Sequence, residues 1–320
     1  GFWDGYSKGY TETYKELSQK DAMNKVTSII VPIEGGIVRS SDNSMFVQIE
    51  KGTYYRENIV NIEVVSNSTK FDSKYIIASN SYKVYVVNPS GEYNPDKKVL
   101  ISFEYYGDNN AGIYIQKNGR WVYLESKINN NSIITSIDPS LISGDGNVFT
   151  VLVDKEFVNF YDIRGHWAKD EIDTLVRKGI INGYPDKTFR PDKYITRAEF
   201  IVLLSRAYEW ELPSDLSNIS IFKDRSSFSV FNEKQISYAL SHGYIRGYSD
   251  NYFRPNNYIS YKEVEVIMRR ILMNDNFTWD AIANKIMYDK KVRLDSFDSL
   301  DNKITRAEFS YLLHELINEI

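Results

Sequence analysis

The sequence of 320 residues contains no cysteine. This absence excludes disulfide bonds, thiol nucleophiles and thiolate metal sites together, but it does not decide the compartment. Histidine is also scarce, and His166, His242 and His314 lie far apart, without the spacing of metal ligands. We therefore expect neither a metal site nor a cofactor.

Long apolar runs and basic stripes are missing as well. No run approaches the roughly 20 apolar residues that a membrane helix needs, and no secretion signal opens the chain. Gly1 is not an initiator methionine, so we expect a chain processed from a longer one, and the missing signal says little. A net charge of -4 without a basic stripe argues against nucleic acid as the main partner.

The composition is otherwise that of a folded protein. Hydrophobic residues make up 42% of the chain, which is typical of globular proteins. The length exceeds one average domain and predicts two. The 25 tyrosines combine an apolar ring with a polar hydroxyl, which suits β-sheets and wet binding surfaces.

Residues 1–25 show a helical spacing of large side chains. Aromatic and apolar residues recur there at every third or fourth position, at Trp3, Tyr6, Tyr10, Tyr14 and Leu17. This spacing places them on one face and predicts a helix that docks on the next domain. A tail or linker left from a longer precursor is the alternative.

Residues 26–157 consist of short β-branched and aromatic segments, such as "MFVQIE" and "KVLISFEYY", separated by turn signals such as "NPSGE". Many short strands at this spacing predict a β-sandwich. The stretch from "GGIVRSS" to "NIEVV" resembles the opening of the immunoglobulin-like β-domains of bacterial surface proteins. No catalytic constellation stands out, because the acidic residues are scattered through loops.

Residues 158–320 contain one string three times: "ITRAEF" at Ile195–Phe200 and Ile304–Phe309, and "ISYKEV" at Ile259–Val264. The sequence around the string repeats as well, which divides this part of the chain into repeats 158–213, 214–275 and a shorter, degenerate 276–320. Repeats of this period indicate stacked supersecondary units.

Each copy of the string is typical of a helix start. Thr196 with Glu199 forms a capping box, in which each side chain bonds a backbone N–H of the other, and Ser260 with Glu263 and Thr305 with Glu308 repeat it. An apolar stripe at i, i+3, i+4 and i+7 follows, in the first repeat Phe200, Leu203, Leu204 and Ala207. Three such stripes predict an all-α module of approximate threefold symmetry on a central three-helix bundle.

The bases of these strings, Arg197, Lys262 and Arg306, are predicted at the first helical position. A cation is unfavourable there, because the helix dipole favours negative side chains at that end. A base in all three repeats therefore suggests that each helps to hold an anion, such as a carboxylate or a phosphate. The alternative is a surface base paired with a nearby acid, and the residues alone leave both open.

The first repeat carries further motifs in order: Phe160 and Asp162, "HWA", "GIINGY", "TFRP" and "ITRAEF". This order resembles the S-layer homology (SLH) domain of bacterial surface proteins, over about half of the chain. The resemblance implies three repeats in one pseudo-trimeric module, which binds secondary cell-wall polymer, often through a pyruvylated N-acetylmannosamine. It also implies a secreted protein of the bacterial cell wall or S-layer, with other S-layer subunits as further partners.

The resemblance places a ligand site in the grooves between repeats, with the motif bases Arg197, Lys262 and Arg306 in contact with the ligand. The other ligand-binding candidates are Asp162, Trp167, Gly183, Tyr184, Arg190, Asp224, Gly247, Tyr248 and Arg254. The tyrosines would line the groove and the glycines would permit a tight turn. The arginines before proline would contact an anion or pair with acids, and the aspartates would orient neighbouring groups or cap a helix. The tryptophan would stack on a sugar or pack in the core.

Two repeats depart from the family pattern. The second lacks "HW" and contains "SYKE" in place of "TRAE", and the third lacks "NGY" and "FRP". Lys187 stands where the family usually has a turn glycine. We therefore expect fewer than three working grooves, with Arg197 and Lys262 contributing most to binding and Arg306 least.

Three functions fit these observations. The first is non-catalytic anchoring at the cell surface, without catalytic residues. The second is a fragment of a surface-anchored, glycan-active enzyme, which would need paired carboxylates facing a cleft. The third is an adhesin whose β-domain binds a glycan or host ligand, for which aromatics such as Trp121, Tyr105 and Tyr106 would have to line a flat platform.

Overall fold

The computed structural model of the chain describes residues 26–65, 72–88, 91–107 and 109–318. The helix predicted over residues 1–25 lies outside these residues. The chain divides into two compact units, Gly1–Phe157 and Val158–Ile320.

Twelve strands form two antiparallel sheets in the described part of the first unit. Their bounds are β1 Val26–Val31, β2 Gly36–Arg39, β3 Met45–Ile49, β4 Asn58–Val65, β5 Tyr75–Ile77, β6 Ser81–Val87, β7 Val99–Glu104, β8 Ala111–Lys117, β9 Arg120–Leu124, β10 Ser126–Asn129, β11 Ser132–Ile137 and β12 Asn147–Asp154. The first sheet has the strand order β1-β4-β6-β12-β8-β9, with β5 paired to β12. The second sheet has the order β10-β11-β7-β3-β2.

Alternation of apolar residues explains why these segments form sheets. In β3 the side chains of Met45, Val47 and Ile49 are buried, whereas those between them are half-exposed. Val47 of the second sheet and Val60 of the first belong to the same buried cluster, so the two sheets enclose one apolar core. The likeness to immunoglobulin-like domains stays a prediction.

The second unit contains six α-helices within the described residues: α1 Lys169–Arg177, α2 Arg197–Ala207, α3 Glu233–Ser241, α4 Tyr261–Leu272, α5 Trp279–Lys290 and α6 Arg306–Asn318. Short 3-10 turns accompany them at Tyr161–Ile163, Ser217–Ile221, Arg225–Ser227 and Asp295–Phe297. Within the part of the chain that is described, no helix is both long and apolar enough to cross a membrane.

The three predicted capping boxes are confirmed. At the start of α2, the Thr196 hydroxyl accepts the N–H of Glu199 at 3.1 Å, and the Glu199 carboxylate accepts the N–H of Thr196 at 2.8 Å. The helices α4 and α6 begin in the same way. Each reciprocal pair satisfies two of the N–H groups that a helix start leaves without partners.

The helices pack in pairs that join different repeats. Helix α2 lies against α3, α4 against α5, and α6 against α1. The extended residues near the capped helix starts also pair across repeats, as Tyr194 with Thr305, Thr196 with Tyr258, and Ser260 with Lys303. The repeats are therefore interlocked through helix packing and through backbone pairing.

The prediction of an all-α, pseudo-threefold trimer on a central three-helix bundle is wrong. The second unit combines helices with 3-10 turns and extended bridges, and each capped helix has its main helical partner outside the other two capped helices. The cause is that the predicted stripe is not the whole buried face. In α2, Ile201 is buried at 1% exposure, whereas Leu203 and Ala207 of the stripe are only partly buried. A helix that is apolar on more than one side does not specify one bundle face.

Candidate functional site

Each capped helix begins against a turn of another repeat. The N–H of Arg197 donates to the carbonyl of Asn257 at 2.9 Å. The N–H of Ala198 donates to the carbonyl of Pro255 at 3.0 Å. The first two N–H groups of α4 and of α6 donate likewise to carbonyls of the third and the first repeat. These donors are already used, so a ligand at a helix start has to be bound by side chains.

The register of the second repeat differs from the prediction. With Ser260 as the cap, α4 begins at Tyr261, so Lys262 is its second residue and its predicted first position is wrong. Tyr261 holds the place that Arg197 and Arg306 hold in the other capped helices. We call the three equivalent contacts the first junction (Arg197 against the second repeat), the second junction (Tyr261 against the third repeat) and the third junction (Arg306 against the first repeat).

In the first junction, Arg197 is buried and paired with an acid. It is 6% exposed, and its Nη1 donates to Oε1 of Glu263 at 2.7 Å. Its Nε donates to the carbonyl of Phe253 at 3.0 Å. The guanidinium also lies over the ring of Tyr248, whose hydroxyl donates to the same carboxylate of Glu263. The sequence left open whether this base binds an anionic ligand or pairs with a nearby acid. In the structure Arg197 pairs with an acid, Glu263.

In the second junction, Tyr261 and Glu308 close the contact. The Tyr261 hydroxyl donates to both carboxylate oxygens of Glu308, at 2.8 and 3.1 Å. Both residues are buried, and the tyrosine ring packs 5.0 Å from that of Trp279, between centroids. Lys262, the predicted ligand base of this repeat, is exposed.

In the third junction, Arg306 is half-buried, and its guanidinium bonds backbone carbonyls. Its Nε donates to the carbonyl of Phe189 and its Nη2 to that of Asn182, each at 2.9 Å. The guanidinium lies 5.2 Å from the ring centroid of Tyr184. Across residues 26–65, 72–88, 91–107 and 109–318, it makes no ion pair. Burial lowers the pKa of Arg306, which indicates a charge that its surroundings compensate poorly.

Each arginine that precedes a proline lies beside a tyrosine that was predicted to line a groove. Arg190 stands 4.1 Å from the ring centroid of Tyr184, and Arg254 stands 4.2 Å from that of Tyr248. Each also pairs with an aspartate four residues earlier, Arg190 with Asp186 at 2.8 Å. Both arginines have a φ of +58°, a strained conformation for a residue with a side chain.

Asp162 and Asp224 hold these strained turns in place. The Asp162 carboxylate accepts the N–H of Phe189 at 2.9 Å and that of Arg190 at 2.7 Å. Asp224 accepts the equivalent pair of N–H groups in the second repeat, and its side chain does not cap the 3-10 turn that follows it. The aspartates therefore orient the segment that carries the arginines.

Gly183 and Gly247 allow close packing. Neither has a positive φ, so a special backbone conformation is not their reason. A Cβ atom at Gly183 would lie 2.0 Å from the ring of Phe160, and one at Gly247 would lie 2.4 Å from the ring of Phe222. The glycines thus let the segments before Tyr184 and Tyr248 lie close against a buried phenylalanine.

Two other predicted positions lie outside the junctions' charged contacts. Trp167 is half-buried against the core, with its ring centroid 6.3 Å from that of Tyr311 in α6. Of the two roles expected for Trp167, packing in the core is the one that the structure shows. Lys187 has a φ of +61°, in the left-handed region that the family glycine would favour.

The glutamates of the first and second junctions have pKa values that are shifted in opposite directions. For Glu263, burial is outweighed by the hydrogen bond from Tyr248, by further hydrogen bonds and by the charge of Arg197, so its pKa lies below its ordinary value. For Glu308, burial outweighs the hydrogen bonds that it accepts, including that from Tyr261, so its pKa lies above its ordinary value. Glu308 is only 3% exposed, whereas the Glu263 side chain is 25% exposed and also contacts the charge of Arg197, so burial dominates the pKa of Glu308 alone.

Some junction residues were not recognisable as such from the sequence. The capping-box glutamates were interpreted as caps alone, although Glu263 and Glu308 also bond another repeat. Lys193 was not considered, yet its Nζ donates to the Tyr184 hydroxyl at 3.1 Å. One signal was available: aligning the caps places Tyr261, not lysine, at the arginine position.

Two alternative chemistries find little support. Of the aromatics considered for an adhesin platform, Tyr106 is 74% exposed but Tyr105 is only 6% exposed, and Trp121 packs beside a small buried tyrosine cluster. Among the described residues, no group of three or more His, Asp or Glu side chains is placed to hold a metal ion.

Comparison with known proteins identifies relatives of the repeats. Residues 159–201 and 221–265 match the S-layer homology domain family. The "Cellulosome-anchoring protein" of Acetivibrio thermocellus is 58% identical over 48 residues, which are 15% of this chain and 11% of that protein. "Cell surface glycoprotein 1" of the same species is 40% identical over 113 residues, 33% of this chain and 5% of that protein. "Endo-1,4-beta-xylanase A" of Thermoanaerobacterium saccharolyticum is 27% identical over 249 residues, 72% of this chain and 19% of that protein.

The chain spans less than a fifth of the length of each of these three relatives. The two matched stretches lie in the first and second repeats, and membership of the third repeat stays a prediction. The family match, together with relatives named a cell surface glycoprotein and a cellulosome-anchoring protein, supports surface anchoring and a location at the cell surface or cell wall. The chain therefore contains two tandem domains of the S-layer homology family, at residues 159–201 and 221–265.

Proposed function

We propose that the second unit anchors the protein, without catalysis, by binding secondary cell-wall polymer, with a pyruvylated N-acetylmannosamine of the polymer as the ligand. In this proposal the repeats 158–213, 214–275 and 276–320 act as one module, attached to the β-rich domain of residues 26–157. The observation that carries the proposal is the half-buried guanidinium of Arg306, which has no acidic partner in the described chain.

The chemistry of this ligand suits the surroundings of Arg306. A pyruvyl ketal presents a carboxylate, and a guanidinium binds a carboxylate through a planar pair of N–H donors. The ring of Tyr184, which is partly exposed, supplies an aromatic surface beside this guanidinium. Lys193, which contacts the Tyr184 hydroxyl at 3.1 Å, adds a second cation.

Co-sedimentation with purified cell-wall sacculi tests this function. We expect the chain to sediment with untreated sacculi and to stay in the supernatant after the polymer has been extracted from them. Sedimentation that is unchanged by the extraction would show that the polymer is not the ligand.

The xylanase relative favours a second candidate, in which this chain is a fragment of a glycan-active enzyme and itself contains the catalytic residues. Assay of the 320-residue chain on xylan distinguishes whether catalysis resides in these residues. We expect no release of reducing sugar, since no paired carboxylates of a glycosidase were recognised in the sequence. Release of xylo-oligosaccharides would instead support the enzyme.

A further inference from the structure

The three junctions are equivalent in position but differ in chemistry. In two of them the first side chain of a capped helix reaches the capping-box glutamate of the next capped helix, Arg197 to Glu263 at 2.7 Å and Tyr261 to Glu308 at 2.8 Å. In the third junction the corresponding residues are Arg306 and Glu199, and they make no such contact: Arg306 bonds two carbonyls and Glu199 bonds its own cap.

The paired arginine, Arg197, is also less exposed to solvent than Arg306. Arg197 is 6% exposed, and its carboxylate partner Glu263 also accepts a hydrogen bond from Tyr248. A ligand carboxylate at this place would have to displace Glu263 and leave that acid without its cation, which is costly at a buried site. Arg306 is half-buried, so part of its side chain is open to solvent.

Further cations surround the exposed side of the third junction. Arg190 and Lys193 lie 4.1 and 5.3 Å from the ring centroid of Tyr184, the ring over which Arg306 also lies. Three basic side chains thus share one aromatic ring. Such a cluster favours an anionic group with an apolar face beside it.

The acids near this cluster are already bonded. Asp186 pairs with Arg190 at 2.8 Å. Asp162 accepts two N–H groups of its own turn, and Glu199 accepts the N–H of its cap. None of the three forms an ion pair with Arg306. The direct partners of the Arg306 guanidinium are thus the carbonyls of Phe189 and Asn182, while these acids act on it only at longer range.

We propose that the third junction is the single place where this chain binds the anionic group, and that the first and second junctions are closed by their own glutamates. The proposal rests on the function proposed above, because it takes a carbohydrate with one carboxylate as the ligand. It also reverses the sequence-based ranking, which put Lys262 and Arg197 above Arg306.

The identical hexapeptides around Arg197 and Arg306 allow a matched experiment. Arg197→Lys and Arg306→Lys both keep the positive charge and both remove the planar fork of donors. Each full-length variant, and Lys262→Ala, would be titrated calorimetrically with the methyl glycoside of pyruvylated N-acetylmannosamine. The same glycoside without the ketal is the ligand control, and thermal melts of all variants are recorded beside the titrations.

We expect one bound sugar per chain in the wild type. Arg306→Lys should weaken binding about tenfold, on the scale of one charge-assisted contact, with a small shift in melting temperature. Arg197→Lys should do the opposite, with a lower melting temperature and unchanged affinity, and Lys262→Ala should leave both unchanged. This crossed pattern is the support that the proposal requires.

Other outcomes separate the two proposals. Two equivalent sites in the wild type, or an affinity loss in Arg197→Lys as large as in Arg306→Lys, would overturn the single-site proposal and leave polymer binding intact. Absence of any binding by the wild type, or equal binding of the ketal-free sugar, would overturn the proposed function and the single-site proposal with it.

Discussion

Glu263 and Glu308 occupy the same place in two capping boxes, yet their pKa values move in opposite directions. Their partners differ, because Arg197 is a cation whereas Tyr261 is a neutral donor. A buried carboxylate stays charged only if its surroundings replace the lost hydration. Glu308 is also the more deeply buried acid, at 3% exposure against 25% for the Glu263 side chain, so deeper burial and a neutral partner together accompany its raised pKa.

Amide variants of these two acids should differ in stability. We expect Glu263→Gln to lower the free energy of unfolding at neutral pH by about 2 kcal/mol, because it leaves the buried Arg197 without a counter-charge. Glu308→Gln should cost little, since glutamine still accepts from Tyr261 and removes a buried charge. Urea denaturation of both variants measures this, and a larger loss for Glu308→Gln would contradict the described pairing.

The two acids should also give stability a pH dependence of opposite sign. The folded pKa of Glu263 lies below its ordinary value of 4.5, so its stabilisation is present above that value and is lost as pH falls through the folded pKa. The folded pKa of Glu308 lies above 4.5, so stability falls as pH rises from 4.5 through the folded pKa. Unfolding free energies measured against pH should lose the first slope in Glu263→Gln and the second in Glu308→Gln. Slopes that persist in both variants would refute this assignment.

The packing of Gly183 gives another prediction at the scale of the residue. Gly183→Ala would bring a Cβ atom within 2.0 Å of the Phe160 ring and 2.7 Å of the Thr188 carbonyl oxygen. We expect a loss of about 1–3 kcal/mol, typical of an overpacked core. Gly247→Ala should behave alike, since its Cβ would meet Phe222. Thermal melts that match the wild type for both would show that the turn can yield.

At the scale of the element, the capped helices combine a local start with a distant partner. The capping box is complete within four residues, so it forms wherever its string occurs. The neighbour of each helix comes from another repeat, as with α2 against α3 and α6 against α1. Caps and partners should therefore contribute differently to stability.

Matched substitutions in the two "ITRAEF" helices test this difference. We expect Thr196→Ala and Thr305→Ala to cost about 1 kcal/mol each, the scale of a lost cap. Leu204→Ala and Leu313→Ala remove fully buried side chains and should cost about 2–5 kcal/mol through the cavities left behind. Thermal melts rank the four variants, and cap variants that destabilise more than the leucine variants would contradict the packing described for α2 and α6.

At the scale of the whole molecule, the interlocked repeats should fold together. A fragment that ends at Met273 lacks α5 and α6, so α4 and α1 lose their main helical partners. We expect this fragment to melt without a cooperative transition, whereas Val158–Ile320 alone should fold and keep wall binding. Calorimetry of both fragments measures this, and a cooperative melt of the shorter one would show that the first two repeats are independent.

Some of this organisation could be predicted and some could not. The strands and the three capping boxes depend on neighbouring residues, whose periodicity is visible in the sequence. The bundle prediction failed because α2 is buried through Ile201 as well as through Phe200 and Leu204, which a single stripe does not reveal. The prediction that Lys262 is the first residue of its helix was wrong by one position, because the helix begins at Tyr261, directly after Ser260.

The sequence by itself determined the three capping boxes, the repeated strings and the family of residues 159–201 and 221–265, because these depend on neighbouring residues. Only the tertiary structure decided whether each arginine pairs with an acid and how far it is exposed to solvent. Arg197 meets Glu263 across 66 positions of sequence, and Arg306 meets Phe189 across 117. Two identical hexapeptides therefore differ in charge pairing and exposure, because a side chain's electrostatic surroundings are supplied by whichever distant segment packs against it.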